Sequence, residues 1–88
     1  MCTMIAEKID IEGSGKGKAG WFQLAQAYVS YDHPFDLARE HALNIDFVNP
    51  GQGTGARVAV ELSPEAARAL VASIQGILER AELEGVLD

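Results

Sequence analysis

Residues 21–31 read WFQLAQAYVSY, and how they fold decides the class of the whole chain. Trp21, Leu24, Ala25 and Tyr28 would share one face of a helix. As a strand, Trp21, Phe22, Leu24, Tyr28, Val29 and Tyr31 would be buried over both faces. Aromatic and β-branched side chains suit a pleated surface, and a glycine-rich stretch comes just before, so the segment reads as a strand. Its aromatic residues then supply core rather than the wall of a ligand pocket.

Working back from Trp21, GSGKGKAG (13–20) holds no apolar residue larger than alanine. It reads as a long, mobile hairpin loop. Its glycines match G-x-G-x-x-G at Gly15, Gly17 and Gly20, but a dinucleotide site needs that motif between a strand and a helix in a larger parallel sheet. No Lys-Ser/Thr follows the last glycine, so the Walker pattern fails as well. Lys16 and Lys18 with free backbone N–H groups could hold a phosphate. The plainer role for these lysines is to keep a sheet edge soluble. Residues 3–12 alternate, with Ile9 and Ile11 on one face and Asp10 and Glu12 on the other, which makes a half-buried strand. The same period places Ile5 and Glu7 on the apolar face.

Working forward, Pro34 pushes His33 towards extended geometry, so the second strand ends there. Asp36 is positioned to cap a single turn through Arg39 and Glu40. ALNIDFV (42–48) puts Leu43, Ile45 and Phe47 inward and Asn44 and Asp46 outward. NPGQGTG (49–55) is a turn-rich connection. RVAVEL (57–62) repeats the alternation with Val58, Val60 and Leu62 inward. Then Ser63 as N-cap, Pro64 in the first helical position and Glu65 in the first turn open a helix. Ala67, Leu70, Val71, Ile74, Ile77, Leu78 and Ala81 form its apolar stripe, and Gly85 stops it. Gly76 costs this helix about 1 kcal/mol relative to alanine, which the approach of another backbone beside the stripe would explain.

The fold expected is therefore a single α+β domain over residues 1–88: a four-stranded antiparallel sheet with one long C-terminal helix on one face, in the order ββββα. Four strands make a face about 19 Å wide, whereas a helix covers about 10–12 Å. Half of the apolar face would stay bare in a monomer. A chain of 88 residues is also short for a self-sufficient core. A homodimer with Leu78 near the interface follows; the alternative is that the 32–42 segment folds back over the bare face.

Composition sets the remaining bounds. Hydrophobic residues at 48% and charged residues at 23% are ordinary for a globular chain. A net charge of −6 argues against nucleic acid as a partner. With one cysteine, Cys2, there is no internal disulfide, and no apolar run approaches the ~20 residues of a membrane span. The N-terminus lacks the pattern of a secretory signal, and the expected location is cytoplasmic.

Chemistry-bearing side chains concentrate in YDHPFDLAREHALNIDF (31–47), which contains both histidines, His33 and His41, with Asp32, Asp36, Glu40 and Asp46. Nitrogen, sulfur and oxygen donors of this kind suit zinc or another divalent metal. The expected ligand set is Cys2, His33, His41 and Asp46, with Glu40 as an alternative donor. The spacing is neither that of a helical zinc pair nor of a CxxC pair. A small polar ligand in the same place, or a hydrolase or isomerase using His33 or His41 as base, are the other functional readings. A structural homodimeric module with no site is the plainest.

The blocks GSGKG, GWF, YDHP, EHALNIDF and RVAVELS, in this order across nearly the whole chain, resemble a family of short actinobacterial proteins catalogued as a domain of unknown function. The resemblance implies a small bacterial protein and carries no activity. It further implies that Cys2, Asp32, His33, Glu40, His41 and Asp46 belong to one site.

Overall fold

A computed structural model describes residues 5–88. Its elements are β1 (Ile5–Gly17), β2 (Gly20–Asp32), β3 (Ala42–Val48), a single 3-10 turn (Pro50–Gln52), β4 (Arg57–Leu62) and α1 (Pro64–Leu83). The strands form one antiparallel sheet in the order β1-β2-β3-β4, so the ββββα architecture is as the alternation indicated.

The register lines up apolar residues in rows across the sheet. Ile5, Tyr31, Leu43 and Leu62 make one row, Ile9, Ala27, Phe47 and Val58 another. Between them run Glu7, Val29, Ile45 and Val60. Paired residues share a face, so all three rows lie on the side that the helix meets. Glu7 sits on that face at the exposed edge strand, as its period required.

The glycine-rich stretch departs from the expected loop. β1 runs through it to Gly17, after a shift of register between Asp10 and Gly13, and Lys18 and Ala19 alone turn the chain. Gly20 follows with φ of 114°, a left-handed conformation that glycine adopts without steric cost. The glycines are there for close approach. A β-carbon on Gly17 would stand 3.0 Å from the Gly55 carbonyl oxygen, and one on Gly15 would stand 3.0 Å from Leu24. The bare strand lets the two edges of the sheet, β1 and β4, touch at this end. Phe22, Leu24 and Val58 fill the curl.

The second departure concerns the aromatic residues of β2. Trp21 is 71% exposed and Tyr28 43% exposed. The helix packs on one face of the sheet and no second layer covers the other, so β2 is not buried on both sides. Among the described residues only small side chains are buried: Ala27, Ala42 and Ala56.

The helix begins and ends as its residues dictate. The Ser63 hydroxyl accepts the Ala66 N–H at 3.1 Å, and Pro64 occupies the first turn. At the other end Gly85 has φ of 72°, its N–H reaches the Glu82 carbonyl, and Val86 N–H reaches the Ala81 carbonyl. This pair of bonds is the Schellman closure that a glycine in this position permits. Between its ends no residue of α1 is buried. Leu70, Val71, Ile74, Ile77 and Leu78 are 45–64% exposed. An open groove of ≈ 610 Å³ lined by Val29, Leu43, Ile45, Leu62, Leu70 and Ile74 runs between the helix and the sheet. The radius of gyration is 15.0 Å, against about 12 Å for a compact domain of this length. Gly76 has nothing within 4 Å of a β-carbon built on it. It lies about 160° round the helix from Ile74, on the outward side and not beside the stripe.

Candidate functional site

β2 ends at Asp32 and β3 starts at Ala42, which faces it across the ladder. The segment 33–41 therefore leaves and re-enters the sheet at neighbouring positions, which brings His33 and His41 together. Their rings stack with centroids 4.7 Å apart and planes 27° apart. Tyr31 continues the stack on His41 at 5.7 Å. His33 Nδ1 donates to the Glu40 carbonyl at 2.8 Å, since a carbonyl can only accept. The His33 amide donates to Asp32 Oδ1 at 2.7 Å.

A carboxylate from another strand fixes the middle of the loop. Glu61 on β4 accepts backbone N–H groups from Phe35 at 2.6 Å, Leu37 at 2.9 Å and Asp36 at 3.0 Å. These donors, that of Leu37 foremost, hold the Glu61 carboxyl below its ordinary value, because each bonds to the charged form. Asp36 takes part through its backbone and caps no helical turn; residues 35–40 form bends, closed by Arg39 N–H on the Leu37 carbonyl. Arg39 also reaches Glu65 at 3.1 Å and so ties the loop to the start of α1. Glu65 is held below its ordinary value first by its own backbone N–H at the helix start and then by Arg39. Phe35, at the apex, is fully exposed.

Of the expected metal ligands, His33 and His41 meet. Asp46 lies four residues along β3 from Ala42, about 13 Å away at strand rise, where Arg57 holds it at 2.7 Å. Cys2 lies outside the described residues. Among the described residues no group of three or more histidine, cysteine, aspartate or glutamate side chains is arranged to hold a metal ion. Imidazole ligates through a lone pair in the ring plane, and nearly parallel stacked rings do not point at one ion. Glu40 contributes its carbonyl to the site. Gly13, Gly15 and Gly17 run extended in the β1–β2 ladder, so the glycine stretch does not form the loop that a phosphate cradle requires.

Glu61, Arg39, Glu65 and Phe35 carry more of this geometry than the local sequence announces. Glu61 reads simply as an outward residue of β4, and its partners lie 24–26 positions away. Asn44 is similar: its Nδ2 donates to the Asp32 carbonyl at 3.4 Å, while its buried Oδ1 has no protein partner.

A family model matches residues 1–87. The chain belongs to that family, DUF6295, a family of unknown function. No curated protein and no solved structure matches it. DUF6295 thus spans the sheet, the 33–41 loop and the helix together as one unit. No helix among the described residues is long and apolar enough to cross a membrane.

Proposed function

We propose that this protein is a homodimeric interaction module, in which a second copy covers the helix side of the sheet. One observation carries the reading: α1 buries no residue, and its apolar stripe faces an apolar sheet across an open gap. Contiguous apolar surface of this kind on a soluble chain marks an interface. Leu70, Val71, Ile74, Ile77 and Leu78, with Ile5, Ile9, Tyr31 and Val60 on the sheet, offer an area on the order of 800 Å². That is what one partner contributes to a stable interface of standard size. Two helices of about 10 Å diameter, one from each copy, also match a sheet about 19 Å wide better than one does. The 33–41 loop, tied to β4 by Glu61, keeps Phe35 open to a further partner.

Light scattering on the purified chain tests this, with Leu70→Asp and Ile77→Asp as controls. A mass of two chains that falls to one in the variants supports the module. A monomer at tens of micromolar rejects it.

A second reading keeps residues 31–47 as a site for a divalent metal or a small polar ligand. What supports it is the nearness of His33 and His41 at the root of the loop; a shared metal would need the two stacked rings to turn towards it. Elemental analysis of the protein and of a His33→Ala/His41→Ala variant decides it: metal near one per chain that disappears in the variant supports the site, and absence of metal from both removes the metal form of it.

A further inference from the structure

The stripe on α1 is a palindrome. Centred on Ile74, it reads Ala67, Leu70, Val71, Ile74, Ile77, Leu78, Ala81, so that alanine mirrors alanine, leucine mirrors leucine, and Val71 mirrors Ile77. At 100° per residue all seven lie within about 60° of Ile74 round the helix, which is therefore the centre of the stripe both along and around the axis. Resting on the reading that a second copy covers this face, we infer that two α1 helices pair antiparallel about a two-fold axis passing beside Ile74.

In this arrangement each layer of the seam packs chemically equivalent side chains. Ile74 meets Ile74 of the second copy, Leu70 and Val71 stand level with its Ile77 and Leu78, and Ala67 stands level with its Ala81. A two-fold interface must be self-complementary, and a stripe with mirror symmetry along its length meets that condition with no change of register. Charge selects the same direction. Arg68 and Glu82 flank the stripe on one side, at about 120° and 80° from Ile74, and neither forms an ion pair within the described residues. Antiparallel pairing sets Arg68 of each copy within about 3 Å in height of Glu82 of the other, giving the same ion pair at both ends. Parallel pairing would leave Arg68 and Glu82 about 21 Å apart in height and on opposite sides of the seam, with no such pair. The remaining arginine of the helix, Arg80, is engaged by Glu84 of its own chain at 3.9 Å.

Cysteine cross-linking of the full chain, in a Cys2→Ser background, tests the register. Helix axes about 8–10 Å apart bring facing Cα atoms within reach of a disulfide, and a residue beside the two-fold axis faces its own copy. Ile74→Cys is expected to cross-link with itself under mild oxidation. Leu70→Cys is expected not to, because its copy lies about 12 Å along the axis, whereas a mixture of Leu70→Cys and Ile77→Cys chains is expected to yield the covalent heterodimer. Self-linking of Leu70→Cys would mean parallel helices and would overturn the proposal. So would a dimer by light scattering in which Ile74→Cys stays unlinked; a monomer would instead remove the dimer reading on which it rests. Since the ion pairs are superficial, Arg68→Glu should fold normally and dissociate at several-fold higher concentration. Adding Glu82→Arg should restore the affinity, and failure to do so rejects the antiparallel register.

Discussion

Glu61 grips the backbone of Phe35 with a 2.6 Å hydrogen bond across 26 positions of sequence. The same carboxylate takes the next two amides, so three consecutive donors of the loop end on one side chain. A carboxylate that accepts several N–H groups is stabilised in its charged form, and protonation takes acceptor capacity away. Glu61 has an ordinary value of 4.5 and a lowered one in the folded chain. A lowered folded pKa contributes order that is complete above the ordinary value and is lost as pH falls through the folded one. The amide resonances of Phe35, Asp36 and Leu37 are therefore expected to shift together, with a midpoint below 4.5, while the β2–β3 ladder holds. Glu61→Gln should show faster hydrogen exchange at these three amides already at neutral pH. Exchange unchanged in that variant would mean that the loop is held by something other than Glu61.

Phe35 is presented by this grip without contributing to the fold. A side chain that is 100% exposed makes no packing contact for truncation to remove. Phe35→Ala is therefore expected to alter stability by no more than about 0.5 kcal/mol, the usual range for a surface position. Urea denaturation checks it. A loss above about 2 kcal/mol would place the ring inside an interface in solution, since truncating a buried phenylalanine has that order of cost.

The sheet was legible because each strand declares its period: Leu43, Ile45 and Phe47, or Val58, Val60 and Leu62, need no tertiary knowledge to be put on one face. The helix was equally open to reading, since Ser63, Pro64 and Gly85 are local signals for its two ends. Gly13, Gly15 and Gly17 misled because a glycine chosen for a close neighbour looks, along the chain, like one chosen for a turn. What distinguishes Gly17 and Gly15 is Gly55 and Val58, 38 and 43 positions away and brought near only by the curl of the sheet. Trp21 and Tyr28 misled for a related reason. Aromatic content shows that a strand suits a pleated surface, but not whether a second layer exists to cover it. At the site, the meeting of His33 and His41 followed from two strand ends in one ladder, whereas the hold of Glu61 on the loop depends on the position of β4 and has no local mark.

The glycines supply the last prediction, because two of them should respond to alanine with opposite signs. At Gly17 an added β-carbon would lie 3.0 Å from the Gly55 carbonyl oxygen and 3.2 Å from Phe22. The first of these is backbone and cannot rotate aside, so the edges of the sheet must part. Overpacking of this kind costs about 1–3 kcal/mol, and Gly17→Ala is expected to be destabilised by that amount. At Gly76 no atom lies within 4 Å, the backbone is helical and the position faces away from the stripe. There alanine restricts the unfolded chain and favours the helix, so Gly76→Ala is expected to gain up to about 1 kcal/mol with no change in mass by light scattering. Thermal and urea unfolding of the two variants measure the pair. A stabilised Gly17→Ala would show that β1 does not close on β4. A destabilised Gly76→Ala would show that another backbone reaches the outer side of the helix, which the antiparallel pairing about Ile74 forbids.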